Sequence, residues 1–264
     1  MLSDYLYDFN TVLKTFREKF PVQAWTATFR EQLVNDFTYF SSRIENRKLE
    51  YGETISFLNG ELVRKEKLAS LLELATHKKV LEAILNEYNE FKLSEDSIKK
   101  IHLALMSIKY HSEPDFDPKM AGVYRNYPVE GSREPFFPNK QYVPHFNIEF
   151  AMASHMDSFI YRFENIDNSQ DETHLITALA YFHNIFLNKI HPFGDGNGRV
   201  CRMVMGILMI KNDCPPIFRK ILNDEDMMLY INTIIECEGT DSDLPLVKLL
   251  ANGMTNYMLE RLND

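Results

Sequence analysis

Trp25, Phe29, Leu33, Phe37, Phe40 and Ile44 recur at steps of four, four, four, three and four residues. That is the period of one apolar face of an α-helix and not of a strand, so Val22 to Glu45 is expected to form a helix that must bury that face. The period returns at Val80, Leu81, Ile84, Leu85 and Tyr88, then at Ile98, Ile101 and Leu105 behind "SEDS", which can cap. It resumes at about Ile148, continues through "THLITALAYFHNIFLNKI", and comes back in three further runs from Gly198 to Leu262. Only 10 of 264 residues are glycine, as helix-rich chains often show. The expected fold class is all-α. The pattern breaks between Asp115 and Pro144, where a β-prone arm, a central Gly131-Ser132, several prolines and a second arm at Tyr142 and Val143 read as one irregular hairpin.

Charge and composition exclude several partners. A net charge of -9 argues against nucleic acid and anionic membrane surfaces, which need a basic face. The N-terminal "MLSDYLYDFN" carries aspartates where a secretory signal would carry basic residues. The apolar run "MVMGILMI" falls far short of the ~20 residues that span a bilayer. Cys201, Cys214 and Cys237 lack CxxC spacing and read as reduced, buried small hydrophobes. A cytoplasmic location is expected.

One stretch stands apart. "KIHPFGDGNGRVCR" gathers Gly194, Gly196 and Gly198 within five residues, between a helix that Pro192 must end at His191 and a helix that begins at about Gly198. Glycines at alternate positions suit a nest of inward-pointing N–H groups from positive-φ backbone, and the helix N-terminus adds unpaired donors and partial positive charge. This is expected to cradle phosphate. Arg199 and Arg202 supply cationic charge, and Asp195 offers a hard oxygen to a magnesium ion bridging phosphates. A Walker loop would need a lysine that is absent, and an EF-hand would need glycine and glutamate where Val200 and Gly206 stand. A plain glycine-rich turn would leave the histidine and both arginines unexplained. His174, His183 and His191 lie nine and eight residues apart, too far for ligands on one helical face, so His174 and His183 are expected to be packed or hydrogen-bonded.

"HPFGDGNGRVCR" resembles the Fic family signature, HPFx(D/E)GNGRxxR, at every fixed position: His191, Pro192, Phe193, Asp195, Gly196, Asn197, Gly198, Arg199 and Arg202. "AGVYRNYPV" is similar to the first strand of that family's flap, and "DSDLPLVKLL" to its C-terminal helical region. The resemblance covers about Ile98 to Leu250. It implies a multi-helix core with one β-hairpin flap at about 121–144, and transfer of AMP from ATP to a Tyr, Ser or Thr hydroxyl of a target protein. It makes His191 the base, and the residue type suits the task, since an imidazole is partly neutral at cellular pH. By the same resemblance Asp195 holds Mg2+ with the ATP phosphates. Gly196, Asn197 and Gly198 form the anion hole, with Phe193 and Gly194 beside it, and Arg199 and Arg202 take the phosphates. Each such donor is typically worth ~3 kcal/mol in a transition state. Tyr230 would line the adenine side.

"SSRIEN", Ser41 to Asn46, matches the family's inhibitory pattern (S/T)xxxE(G/N), in which the glutamate pairs with the second signature arginine and keeps the γ-phosphate out. Ser41, Glu45 and Arg202 would take those roles. The same letters also spell a capping box starting a helix at Ser42. The stripe through Phe37, Phe40 and Ile44 favours a helix running on to Glu45. The expected organisation is an N-terminal helical region over 1–96 carrying the inhibitory motif, a Fic domain over 97–252 with its signature at 191–202, and the end of a C-terminal helix over 253–264. The expected activity is autoinhibited adenylylation of an unknown partner docked on the flap, and of the chain itself, using ATP and Mg2+. Removal of AMP with Glu45 activating water, and nucleotide binding without transfer, are the alternatives. Phosphorylation is disfavoured because Gly196, where the phosphorylating branch departs, is intact. The phenylalanine-rich N-terminal helices would suit a homodimer or a buried core equally well.

Overall fold

In the computed structural model, which describes residues 2–61, 68–109, 117–133, 137–170 and 174–263, with backbone alone at 68–70, 130–133 and 137–139, the long apolar stripe is interrupted at Thr26. Its backbone is extended and its hydroxyl accepts the Phe29 N–H at 3.1 Å, an N-cap. Before it lie helix α1 (Leu2–Lys19) and a 3-10 turn at Val22–Ala24; after it runs α2 (Ala27–Glu45). Trp25, expected on the helix, sits in its flank instead, edge-on to Phe29, with its indole N–H on the Phe20 carbonyl at 2.9 Å. The capping residue wins because it satisfies an orphan N–H that a longer helix would bond internally.

The remaining helices are α3 (Tyr51–Leu58), α4 (Leu68–Asn86), α5 (Glu95–Met106), α6 (Ile148–Glu164), α7 (Leu175–His183), α8 (Asn197–Lys211), α9 (Asp224–Thr240) and α10 (Leu244–Asn263). This is the all-α architecture expected. Ser94 and Ser97 start α5 as a reciprocal capping box, at 3.1 and 2.9 Å. Helix α8 is the axis of the molecule, contacted by α2, α4, α5 and α7, and α1 lies along α10 to close the outside. "MVMGILMI" belongs to α8 and is apolar all round because it is covered all round. No described helix is long and apolar enough to cross a membrane. Cys201, Cys214 and Cys237 are buried and unbridged. Phe9, Phe16, Phe37 and Phe40 are buried within the one chain, so no second copy is needed to cover them.

Strands β1 (Glu130–Arg133) and β2 (Phe137–Gln141) pair antiparallel, Glu130 opposite Gln141 and Gly131 opposite Lys140, with an irregularity between Gly131 and Arg133. The first arm thus begins later than residues 121–129, which are turn and irregular backbone, and Tyr142 and Val143 follow the second strand. Pro128 lacks an N–H, and the Arg125 N–H is taken by the Pro192 carbonyl at 2.9 Å, so neither residue offers a donor to a strand partner. Residues 134–136 lie outside the described residues.

Helix α2 is held in place from behind. The buried Asp36 carboxylate accepts from Tyr51 Oη at 2.7 Å, Tyr257 Oη at 3.2 Å and Arg261 Nη2 at 3.1 Å, tying α2 to α3 and α10. Further along, Arg43 pairs with Asp224 at the start of α9 at 2.7 Å. Removing a buried carboxylate strands its partners, so Asp36→Ala is expected to lower the unfolding free energy by about 3 kcal/mol in urea denaturation, and a change below about 1 kcal/mol would refute the anchoring role.

Candidate active site

Pro192 ends a helix, as expected, but the approach is unusual. Helix α7 continues into a π-helical stretch, Asn184–Ile190, and the chain leaves it through His191 in the left-handed region, φ 52° and ψ 63°. A residue with a Cβ holds that conformation only where its surroundings insist. The His191 N–H donates to Phe186 O at 2.9 Å, and Nδ1 lies 3.0 Å from Leu187 O. A carbonyl can only accept, so Nδ1 carries the proton and, in the neutral ring, Nε2 carries the lone pair. Tyr142 stacks on the imidazole at 4.2 Å.

Of the three clustered glycines only Gly196 has positive φ, at 76°. The expected nest of alternating positive-φ residues is therefore not formed. Gly194 and Gly198 are instead places of close approach: a Cβ would run into Tyr127 at the first, and into the Glu45 carboxylate and Arg202 at the second. Gly196 caps α8, its N–H on Asp195 Oδ1 at 2.6 Å. Asn197 braces the loop, accepting the Phe193 N–H at 2.9 Å and donating to Phe193 O at 2.8 Å. Its side chain is committed there, so only its backbone can serve an anion. Phe193, expected beside the nucleotide, is buried beneath the loop and lies flat on His102 at 3.8 Å. His102 in turn accepts the Gly122 N–H at 2.8 Å and donates to Asp195 O at 3.0 Å. Burial pulls its pKa down to about 4, so it is a neutral bridge at pH 7.

Arg202 is 1% exposed. Its Nε donates to Ser41 Oγ at 3.0 Å, and its Nη2 to Ser41 O at 3.0 Å and to Glu45 Oε1 at 2.6 Å. Ser41, Glu45 and Arg202 are thus brought together from helices 157 to 161 residues apart in sequence. Glu45 is the last residue of α2, where the helix dipole disfavours an anion. Burial also works to raise its pKa, yet Arg202 and then Arg199 outweigh it and hold the carboxyl below its ordinary value. The half-exposed carboxylate lies against Gly198, at the N-terminus of α8, the position where a helix favours a bound anion.

A cleft of about 410 Å³ opens here, lined among others by Glu45, His191, the 194–198 loop, Arg202 and Tyr230. Tyr230 turns its hydroxyl to His183 Nε2, at 2.5 Å, and also interacts with Arg202. His174 caps α7, accepting the Ile176 N–H at 3.1 Å, so both it and His183 are hydrogen-bonded structural residues. Arg199 points elsewhere. It pairs with Glu73 of α4 at 2.8 Å, lies 3.7 Å from Asp195, and lines a neighbouring recess that shares Glu45 and Asp195 with the cleft. Asp195 also bonds Lys109. Burial acts to raise its pKa, but Arg199 and Lys109 prevail and keep it ionised. Among the described residues no three His, Cys, Asp or Glu side chains converge on a metal position. One ionised carboxylate beside an anion cradle fits a magnesium ion that takes its other ligands from phosphates and water.

His102, Glu73, Lys109 and Tyr142 escaped the sequence because each acts across elements and none belongs to a local pattern. His102 reaches the loop from α5, and Lys109 from just beyond the end of that helix.

Residues 92–209 match the Fic/DOC family model. The chain is similar to Protein adenylyltransferase Fic of Drosophila persimilis, 32% identical over 99 residues, covering 32% of this chain and 19% of that protein. Its counterpart in Drosophila virilis is 33% identical over 101 residues, covering 32% and 20%. The match spans about a fifth of the length of these curated relatives. Among solved structures, a Fic domain containing signaling protein of Bacteroides thetaiotaomicron superposes with TM-score 0.73 at 20% identity, covering 97% of this chain and 94% of that one. Fic-1 of C. elegans, residues 134–508, does so with TM-score 0.73 at 19% identity, covering 99% and 72%. The segment matched by the family model begins after the helix that carries Glu45.

Because Glu45 ionises more readily folded than unfolded, its pair with Arg202 contributes fully above the ordinary carboxyl value of 4.5 and is lost as pH falls through the depressed folded value. His77, a buried neighbour of both arginines, is pushed down to about 3 mainly by burial and stays neutral through most of that window. The difference in unfolding free energy between the native chain and Glu45→Gln should therefore hold steady near about pH 7 and shrink toward about pH 3. A difference independent of pH would show that the pair is not ionic.

Proposed function

Since residues 92–209 match the Fic/DOC family model, we propose that the chain is a protein adenylyltransferase held inactive by its own Glu45. The observation that carries this reading is the Glu45–Arg202 pair at 2.6 Å across the mouth of the phosphate cradle, within the cleft that His191 lines. ATP enters with its phosphates toward the N-terminus of α8 and Arg202. A target hydroxyl attacks the α-phosphorus; the new O–P bond forms as the bond to pyrophosphate breaks, and the hydroxyl proton passes to His191 Nε2. Its Nδ1–H on Leu187 O keeps Nε2 in the accepting state. The ordered N–H groups at the head of α8 meet the developing charge without reorganising. A magnesium ion, held by Asp195 and the phosphates, would supply further charge neutralisation.

Glu45 blocks this arrangement by being an anion where an anion must bind. A γ-phosphate and the Glu45 carboxylate compete for the same guanidinium and the same helix end, so the apo contact and productive ATP binding exclude each other. A second reading, removal of AMP from a modified protein, is favoured by one feature: the Glu45 side chain is 48% exposed toward the cleft while ionised, which suits a group that orients water. A cytoplasmic location and a target protein docked on the flap belong to this proposal and rest on the sequence.

With ATP labelled at the α-phosphate, Glu45→Gly is expected to label itself at least about tenfold faster than the native chain, and Glu45→Gly/His191→Ala to remain unlabelled. Label carried over from the γ-position would mean a kinase. Absence of label in Glu45→Gly, with the chain folded and ATP bound, would overturn the transferase reading.

A further inference from the structure

A strained histidine needs a clamp, and His191 has one in Arg125. This arginine is 2% exposed, and its described hydrogen bonds all go to backbone carbonyls. Nε donates to His191 O at 2.8 Å, Nη1 to Tyr127 O at 3.1 Å, and Nη2 to Val143 O at 2.7 Å and Ile190 O at 3.2 Å. Its own N–H donates to Pro192 O at 2.9 Å. A buried guanidinium bonded to carbonyls alone is costly unless those carbonyls lack other partners. Here two of the four end a helix: Ile190 is the last residue of the π-helical stretch and His191 its C-cap. Carbonyls at a helix C-terminus have no intrahelical donor and carry partial negative charge, which favours a cation.

The placement joins two structures that differ in task. Tyr127 and Val143 lie at the two feet of the hairpin, one before β1 and one after β2. Val143 also donates its N–H to Lys189 O at 3.0 Å, and Tyr142 beside it stacks on the His191 ring at 4.2 Å. One planar group with five donors therefore gathers both feet of the flap and the backbone of the histidine. A lysine, with a point charge and no fork, could reach one or two of these carbonyls but could not hold all four at once.

We infer that Arg125 is a positioning residue for the proposed transfer, holding His191 in its left-handed conformation and coupling the flap to the orientation of its imidazole. Arg125 lines neither the cleft nor the recess beside it. Its influence falls on the geometry of the base and leaves nucleotide affinity to the α8 end and Arg202. A base displaced by about 1 Å loses on the order of a hundredfold in rate.

This inference rests on the transferase reading, and the test separates the two. In the Glu45→Gly background, Arg125→Gln and Arg125→Lys are compared for the self-modification rate at saturating ATP and for ATP affinity measured independently by calorimetry. Arg125→Gln is expected to lower the saturating rate about 10- to 100-fold with affinity changed less than about threefold, and Arg125→Lys to recover part of the rate. A rate that is unchanged, or that falls in step with affinity, overturns the inference. If Glu45→Gly itself transfers nothing, the functional reading fails, and a second measurement decides Arg125 alone. With Arg125 intact, NMR should find its Nε–H protected from solvent exchange and the His191 ring protonated at Nδ1. An Nε–H exchanging as fast as that of free arginine overturns the clamp, whether or not either variant folds.

Discussion

Arg202 is a guanidinium with almost no access to water, and a buried cation must be given partners or the fold pays several kcal/mol for it. Its position on the central helix α8 means that those partners can come only from elements laid against α8. Helix α2 supplies most of them, and Tyr230 of α9 adds another. The Ser41 carbonyl and hydroxyl satisfy two of the arginine's donors, and the Glu45 carboxylate neutralises the charge. The register of α2 is thereby set, since a one-residue slip would turn both Ser41 and Glu45 away. Asp36 and Arg43, which tie the same helix to α3, α10 and α9, hold that register from the other side.

The same interaction explains a local economy in the loop. Gly198 is glycine because a carboxylate from another helix occupies the space of a side chain, while Gly196 is glycine because the chain must turn into α8 through positive φ. The loop is rigid for a different reason. Asn197 bridges the two backbone groups of Phe193, Phe193 lies on His102, and the neutral His102 ties Gly122 to Asp195. Residues that a signature places next to phosphate thus divide into those that face the cleft and those that build its floor. Phe193 and the Asn197 side chain belong to the floor.

Much of the helical content was legible in the letters. A period of three to four apolar residues, the serines ahead of α5 and the proline after His191 are local signals, and local hydrogen bonding obeys them. Where boundaries shifted, a competing local donor or acceptor was the reason: the Thr26 hydroxyl shortened α2, and the commitment of the Arg125 N–H to Pro192 displaced the first flap strand toward the C-terminus. The π-helical stretch before His191 was not legible, because one extra residue in a helical turn leaves the apolar pattern almost unchanged.

By itself, the sequence determined that this chain would be helical, that one glycine-rich turn would sit at a helix N-terminus behind a histidine, and that Glu45 would close a long apolar helix. Each is a matter of neighbours within a few residues. Only the tertiary structure decided that Arg199 turns aside to Glu73, that Phe193 lies under the loop, and that the histidine is gripped from the flap. Those choices depend on burial and on charges brought close by packing, and a charge buried in a low-dielectric interior takes whatever partner the fold puts beside it, however far away that partner lies in the chain.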